Sequence, residues 1–378
     1  MKPRCALVAY RGADFLLGAL GEASMGMIGE EFGRYDPFIV RAIYISNSRA
    51  LRARIITFGA RLTELWVPDR NGHPEDVVLG FDTLEEYAAT DHYFGATCGR
   101  YGNRIARGQF QLGGKPFQLD CNEGRNHLHG GASGFDRKVW TIQAVEPSKV
   151  TLTATSDHGE MGFPGNCQLS VTYELTEQDQ LLITMKAVSD ADTLMNMVNH
   201  SYFNLAGQGS GDLRDHVLQV NGPFYTPVDD ELLATGEIRT VKKTPFDFGT
   251  PKPIGRDIAA LPSVTVGDLV GGGYDHNWCI GDAGSAMRAV ADLSDPLSGR
   301  RMRLRATEPG VQIYTGGYLT DSVLAKRGRR MCQYAGLTFE TQKFPGAPNH
   351  AHFPDATLRA GQPYRHLMEF TFSADATL

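Results

Sequence analysis

The chain has 378 residues and a formal net charge of −6 at pH 7. Hydrophobic residues make up 42% of it and charged residues 21%, which is typical of a globular protein with enough chain for a large core. The sequence contains no run of five basic residues and no apolar run of the roughly 18 residues that a membrane helix needs. We therefore expect neither nucleic acid nor a membrane as a partner.

The N-terminal region and the cysteines bear on location. The first 40 residues lack clean periodicity, and Arg11 and Asp14 interrupt their apolar stretch before it reaches the length of a signal-peptide core. The six cysteines include no C-x-x-C pair, so we expect free thiols rather than a disulfide framework. We predict a cytoplasmic protein, with secretion or a periplasmic location as open alternatives. Residues 1–40 are treated as an N-terminal extension of uncertain role.

From residue 41 onward the pattern is typical of half-buried strands. β-branched residues and partial alternation predict strands at 54–58, 62–67, 150–155, 168–175, 181–188, 302–306, 312–315 and 367–372. Residues 82–89 predict one short helix, and 43 glycines with 19 prolines supply many turns. No linker or repeat divides residues 41–378. The sequence therefore predicts a single all-β domain, an antiparallel sandwich or barrel with few short helices.

The segment NHLHGG, residues 126–131, is a polar cluster that runs into two glycines. It predicts a loop whose backbone can approach a ligand closely, and a turn with two solvated histidines is the alternative. The spacing of His127 and His129 also allows a metal site, because alternate residues of a strand share a face. The glutamate that follows such a pair in cupin-type sites is missing from residues 130–134, so we expect no metal.

Two further segments carry groups that exchange protons near neutral pH. In NHSYFNLAG, His200 follows an apolar run that predicts a buried strand, and a satisfied core histidine is the alternative. In GLTFETQ, Glu340 shares a strand face with Thr338 and Gln342. A solvent-facing glutamate is the alternative there, whereas burial beside apolar groups would raise the pKa of Glu340, as a working base requires.

Two polar segments offer ligand contacts. In GYDHNW, Asp275 can accept hydrogen bonds from hydroxyl groups, and Trp278 or the neighbouring tyrosine can stack on a ligand if exposed. In GRYGNRIARG, the side chains of Arg100, Asn103 and Arg104 are donors for ligand oxygens. A structural turn and surface charge are the respective alternatives.

Taken together, these segments resemble the aldose 1-epimerase (galactose mutarotase) family. The resemblance runs from about residue 57 to the C-terminus and leaves the N-terminal residues unmatched. It rests on eight segments in one order: TFGARLTELWVPDRNG, EDVVLGFD, GRYGNRIARG, NHLHGG, NHSYFNLAG, GYDHNW, EPGVQIYTGG and GLTFETQ.

The resemblance implies a large antiparallel β-sandwich with an open cleft for a free aldose such as glucose or galactose, and it implies no cofactor. It also implies proton transfers that open the sugar ring and close it on the other face. Glu340 is then the general base, His200 the general acid, and His129 a helper at the ring oxygen.

The resemblance implies substrate contacts as well. Arg104 and Asp275 match positions that hold sugar hydroxyls, and Gln312 matches a position that lines the cleft; we expect Asn103 to contribute a further donor. We expect a monomer or a homodimer. Three alternatives stay open at this point: a non-catalytic carbohydrate-binding protein of the same fold, a glycoside hydrolase that uses Glu340 and Asp275, and an epimerase of hexose 6-phosphates, for which the sequence shows no additional basic cluster.

Overall fold

The computed structural model describes residues 29–266, 269–281, 286–321 and 324–374. Over these residues the protein is built of thirty strands that pair antiparallel and are short or medium in length. The strands are β1 (Glu30–Tyr35), β2 (Phe38–Ser46), β3 (Arg52–Ile56), β4 (Arg61–Pro68), β5 (Pro74–Asp76), β6 (Thr97–Cys98), β7 (Arg104–Ile105), β8 (Gln109–Leu112), β9 (Lys115–Gln118), β10 (His127–Leu128), β11 (Thr141–Glu146), β12 (Lys149–Ser156), β13 (Cys167–Leu175), β14 (Gln180–Ser189), β15 (Thr193–Leu194), β16 (Val198–Asn199), β17 (Tyr202–Phe203), β18 (Val217–Val220), β19 (Phe224–Thr226), β20 (Arg239–Thr240), β21 (Lys252–Pro253), β22 (Val264–Val266), β23 (Leu269–Gly271), β24 (Asp275–Cys279), β25 (Arg288–Ser294), β26 (Arg300–Ala306), β27 (Gly310–Tyr314), β28 (Leu337–Gln342), β29 (Thr357–Leu358) and β30 (Tyr364–Ala374).

Helices are few and short, as predicted. The one α-helix of the described residues, α1 (Leu84–Ala89), begins with a capping box in which the Thr83 hydroxyl and the Glu86 carboxylate satisfy each other's backbone N–H groups. Single 3₁₀ turns cover Ala106–Gly108, Phe135–Arg137, Glu160–Gly162, Ile254–Arg256, Ile258–Ala260, Lys326–Gly328 and Ala347–Asn349. None of the described helices is long and apolar enough to cross a membrane.

Three larger sheets organise the strands. One has nine strands in the order β11-β12-β13-β14-β30-β26-β25-β18-β21, one has six in the order β17-β28-β27-β24-β19-β20, and one has five in the order β1-β2-β3-β4-β5. Apolar side chains from all three meet in one core, for example Ile55, Ile183, Ile313, Phe339 and Phe370. The predicted all-β sandwich is confirmed.

The predicted strands are confirmed wherever alternation was clear. Residues 168–175 lie in β13 and residues 181–188 in β14, and the turn between them joins the two antiparallel strands. Each of the other predicted segments overlaps one observed strand, with ends that differ by up to three residues.

The N-terminal region contributes strands where it is described. Residues 30–40 form β1 and the start of β2, which pair at one edge of the five-stranded sheet. Residues 1–28, including Cys5, lie outside the described residues. The other five cysteines are free thiols, as predicted, and Cys98, Cys167 and Cys279 are buried.

The six-stranded sheet places Gln312 and Glu340 side by side on one face. In β28, Leu337 and Phe339 point into the core, so the alternating residues Thr338 and Glu340 lie on the opposite face. In β27, Ile313 points into the core and its neighbour Gln312 lies on that same outer face, directly opposite Glu340 in the register. The pleat therefore places a polar row on the outside of a sheet whose inside is apolar.

Candidate active site

A cleft of about 530 Å³ lies over this polar face. Of the residues predicted for the site, six line it: Asn103, Arg104, His129, His200, Asp275 and Glu340. They come from five separate stretches of chain, so only the fold brings them together. Further lining residues include Asp91, Tyr93, Glu123, Asp136, Arg137, Tyr202, Tyr314 and Tyr318.

Glu340 lies at the base of the cleft and is only 2% exposed. The Thr338 hydroxyl donates to its Oε1 at 3.2 Å, and its Oε2 has no hydrogen-bond partner among the described residues. Burial, with a smaller contribution from the charge of Asp275, raises the pKa of Glu340 to about 8. The solvent-facing alternative is therefore wrong, and the carboxyl group retains an acceptor site for a ligand.

His200 faces Glu340 across a short gap. It follows the end of β16, as predicted, and its backbone is fixed twice: its N–H donates to the Ala96 carbonyl at 2.8 Å, and its carbonyl accepts from the Gly95 N–H at 3.0 Å. Its Nε2 lies 3.5 Å from Oε1 of Glu340. Burial lowers the pKa of His200 to about 3, so near pH 7 the imidazole is neutral and the proton of the pair rests on Glu340.

His129 lies beside His200, with ring centroids 5.1 Å apart. Its Nδ1 accepts a hydrogen bond from the Asn103 backbone N–H at 3.2 Å, so the other ring nitrogen, Nε2, carries the hydrogen. Burial and the neighbouring His200 hold the pKa of His129 well below its usual range. A neutral ring with this tautomer is a hydrogen-bond donor at Nε2.

That tautomer bears on the metal hypothesis. Ligating atoms of His129, His200 and Glu340 lie within 4.8 Å of one another, a grouping that could hold a metal ion. With Nδ1 of His129 already used as an acceptor, its Nε2 has no lone pair to give to a metal. The residues therefore fit proton transfer and hydrogen bonding better than they fit a metal, and His127, whose Nδ1 lies 2.7 Å from the Asp120 carbonyl, is not part of the group.

Asp275, the first residue of β24, lines the cleft, and the buried side chain of Gln312 contacts its carboxylate. The Gln312 Nε2 donates to Oδ1 of Asp275 at 2.7 Å, and Gln312 itself is only 3% exposed. Gln312 is not among the residues that line the cleft. The structure thus places it one layer below the ligand space, in contact with a residue that does line it.

Arg104 is held by a carboxylate. Its Nε and Nη2 donate to the two oxygens of Glu123 at 2.6 and 2.7 Å, a bidentate geometry that fixes the guanidinium plane. The adjacent Asn103 accepts the Arg104 backbone N–H at its Oδ1 at 2.8 Å. Asn103 has a φ of 65° and His129 a φ of 51°, and such left-handed conformations of residues other than glycine concentrate at functional sites.

Three interpretations of the sequence are wrong. Trp278 is fully buried in the core and is not exposed for stacking. Arg100 is neither a ligand donor nor surface charge, because its buried guanidinium donates to backbone carbonyls, among them that of Pro164 at 2.7 Å. The glycine after His129 admits protein rather than ligand, since a Cβ at Gly130 would lie 1.8 Å from the Gly99 carbonyl oxygen.

Several lining residues were not predicted from the sequence, and Tyr93 and Glu123 make the most specific contacts among them. Tyr93 packs against both histidines, with ring centroids 4.7 Å from His129 and 5.6 Å from His200. Glu123 pairs with Arg104 from 19 residues away. Neither residue lies in a recognisable motif. The one signal in the sequence was the position of Glu123, a charged residue three positions before NHLHGG.

Comparisons with known proteins indicate one family. The family model described as "Aldose 1-epimerase" matches residues 41–371. Galactose mutarotase of Bos taurus is 40% identical over 327 residues, which cover 86% of this chain and 92% of the relative. Aldose 1-epimerase of Haemophilus influenzae is 36% identical over 345 residues, 90% of this chain and 98% of the relative.

A solved structure gives the same result. The aldose epimerase homologue from C. elegans superimposes with a TM-score of 0.80 at 31% identity, covering 89% of this chain and 99% of the homologue. The predicted relationship and the predicted class of enzyme, an isomerase, are confirmed. The chain therefore belongs to the aldose 1-epimerase family, whose reaction is the interconversion of aldose anomers.

Proposed function

We propose that the protein interconverts the α and β anomers of a free, uncharged aldose of the glucose or galactose type, with Glu340 as base, His200 as acid and His129 as a donor to the ring oxygen. One observation carries the assignment of roles: a buried carboxyl group and a buried imidazole lie 3.5 Å apart inside the cleft. Such a pair can take one proton from a sugar and give another back without a nucleophile.

The steps balance with the groups present. Glu340 takes the proton of the C1 hydroxyl, the bond between C1 and the ring oxygen breaks, and Nε2–H of His200 protonates that oxygen. Nε2–H of His129 donates a hydrogen bond to the same oxygen as charge develops on it. The open-chain aldehyde rotates about the C1–C2 bond, and the reverse transfers close the ring on the other face. The enzyme ends with the proton it began with.

The resting pair must be rearranged before the first step. With the pKa of Glu340 near 8 and that of His200 near 3, the single shared proton lies on Glu340 in the empty cleft. Hydroxyl groups that donate to Oε1 and Oε2 favour the ionised carboxylate. Binding of the sugar therefore moves the proton toward His200, which is the distribution that a base at Glu340 requires.

The charge of the cleft supports an uncharged substrate. Its lining contains five carboxyl groups, those of Asp91, Glu123, Asp136, Asp275 and Glu340, against two arginines, Arg104 and Arg137. Arg104 pairs with Glu123, and Arg137 pairs with Asp91 at 2.8 Å and with Asp136 at 3.3 Å. A phosphate would meet excess negative charge and two cations already engaged, which argues against a hexose 6-phosphate.

Polarimetry of freshly dissolved α-D-galactose and α-D-glucose tests the proposal. The wild-type protein should speed the approach to anomeric equilibrium, and Glu340→Gln and His200→Asn should each lower kcat by about 10²–10⁴-fold, the usual contribution of one acid or base. Glu237→Gln and His73→Asn make the same chemical changes on the surface and should leave the rate unchanged.

Wild-type rates equal to those of buffer on both sugars would refute the activity. Full activity in either site variant would refute the role given to that residue. The absence of a cofactor, the monomeric or homodimeric state and the cytoplasmic location remain predictions, which metal analysis, light scattering and fractionation of cells can check.

A further inference from the structure

Glu123 has no role in the reaction described above, yet it lines the cleft and makes a specific contact with Arg104. It accepts two hydrogen bonds from Arg104, at 2.6 and 2.7 Å, and its side chain remains 20% exposed on the wall of the cleft. The Arg104 side chain is 10% exposed. A pair this close and this little solvated is screened far less than a surface ion pair.

The chain holds Glu123 firmly in that position. Glu123 and Asn126 exchange backbone hydrogen bonds of 3.1 and 2.9 Å across a tight turn, in which Gly124 has a φ of 57°. Asn126 also donates to Glu231 at 2.8 Å and accepts the Arg107 N–H at 3.0 Å. The turn is thus anchored on both sides, which fixes the backbone of Glu123 beside Arg104.

We propose that Glu123 is a specificity-determining residue, which makes the Arg104 subsite neutral overall and so selects uncharged aldoses over anionic sugars. Two of the five guanidinium N–H groups are used by Glu123, and the Nη1 edge remains for the ligand. The carboxylate oxygens keep lone pairs for sugar hydroxyls. The pair therefore presents donors and acceptors side by side, which suits a hydroxylated ring and offers no net charge to a carboxylate or phosphate.

This inference rests on the proposed function for its choice of ligands, but its test does not need turnover. Calorimetric titration gives the dissociation constants of D-galactose and of D-galacturonate, which differ in the charge at C6. For the wild type we expect galactose to bind more tightly. In Glu123→Gln the freed charge of Arg104 should tighten galacturonate binding by about tenfold relative to galactose, a discounted Coulomb estimate for a partly exposed site.

A second variant separates charge from position. Glu123→Asp keeps the negative charge but shortens the side chain, so it should weaken galactose binding while preserving the rejection of galacturonate. Glu237→Gln removes a carboxylate from the exposed ion pair with Arg239 and should not change the ratio of the two dissociation constants. Thermal unfolding confirms that each variant is folded, and if Glu123→Gln does not fold, loss of rejection in Glu123→Asp would overturn the proposal.

The outcomes distinguish the two proposals. If the ratio of the two dissociation constants in Glu123→Gln stays within about twofold of the wild-type ratio, Glu123 does not set the selectivity, whatever the polarimeter shows. If the wild type fails to speed mutarotation, the proposed function fails, whereas a shift in the binding ratio still supports the role of Glu123. In an active enzyme, galacturonate should also become a better inhibitor of galactose mutarotation in Glu123→Gln.

Discussion

Burial shifts the pKa values of Glu340 and His200, which lie together in the cleft, in opposite directions. It raises the pKa of Glu340 to about 8 and lowers that of His200 to about 3, because a low-dielectric site disfavours the charged form of either group. Between these values the pair holds one proton, whichever partner carries it. Since the proposed reaction also needs one proton on the pair, the amount of competent enzyme should not vary across that range.

The pH profile of kcat/KM tests this reasoning. We expect a plateau from about pH 5 to about pH 8, followed by a tenfold fall per pH unit as the shared proton is lost from the pair. The measurement is polarimetry from pH 5 to 10, corrected at each pH for the spontaneous rate in the same buffer.

A kcat/KM that rises with pH would contradict the shared proton. If kcat/KM rises through pH 7 and levels off above pH 8, the proton on Glu340 must leave the enzyme before turnover. His200 would then act as a neutral donor, and the two groups would not share a proton. A profile without any change near pH 8 would mean that Glu340 does not control the rate.

At the scale of elements, one strand serves both the core and the site. β27 sends Ile313 into the core and Gln312 toward the polar row, and its neighbour β24 carries Asp275 at the rim of the cleft. The hydrogen bond between Gln312 and Asp275 runs between these two strands at 2.7 Å. The orientation of the Asp275 carboxylate, which lines the cleft, thus depends on a buried amide that does not line it.

Removing that amide should affect binding more than chemistry. In Gln312→Ala we expect KM for galactose to rise by roughly tenfold with kcat changed less than about threefold, since hydrogen bonds to charged groups contribute about 1.5–3 kcal/mol. Steady-state polarimetry gives both constants. Gln219→Ala, on β18 in the nine-stranded sheet, is the matched control, and an unchanged KM in Gln312→Ala would show that Asp275 does not depend on this contact.

The same elements show how far sequence reasoning reaches. Alternation in residues 168–175 and 181–188 predicts strands because the pleat exposes a local pattern. It also predicts that Glu340 shares a face with Thr338, as the hydrogen bond between them confirms. Alternation does not reveal which face of a strand a loop covers. For that reason neither the burial of Trp278 nor the contact of Glu123 with Arg104 could be predicted from the sequence.

At the scale of the whole molecule, the cleft is lined by segments that are far apart in the chain. Residues of the three larger sheets share one core, and His129 and His200 line the same cleft as Glu340 of the six-stranded sheet. Six residues named from the motifs line the cleft, and each motif could be read from the sequence because it is local. Their mutual distances follow from the long-range packing, which no motif contains.

The buried carboxyl group should lower the stability of the whole fold as pH rises. The pKa of Glu340 is about 8 in the folded chain, against an ordinary value of 4.5 for a glutamate, so the folded state binds the proton more tightly than the unfolded state. Its contribution to the free energy of unfolding is fully present below about pH 4.5 and is lost as pH rises toward 8. The site is therefore a source of instability under the conditions in which it works.

Glu340→Gln should relieve that penalty, because a neutral amide of the same size has no charge to desolvate. We expect its Tm to exceed that of the wild type at pH 8 by at least about 2 °C, and the difference to shrink at pH 5. Thermal unfolding at the two pH values measures this, with Glu237→Gln as the exposed control. A Tm difference that is the same at both pH values would mean that Glu340 titrates alike in the folded and unfolded chains, and the assignment of a raised pKa would then be wrong.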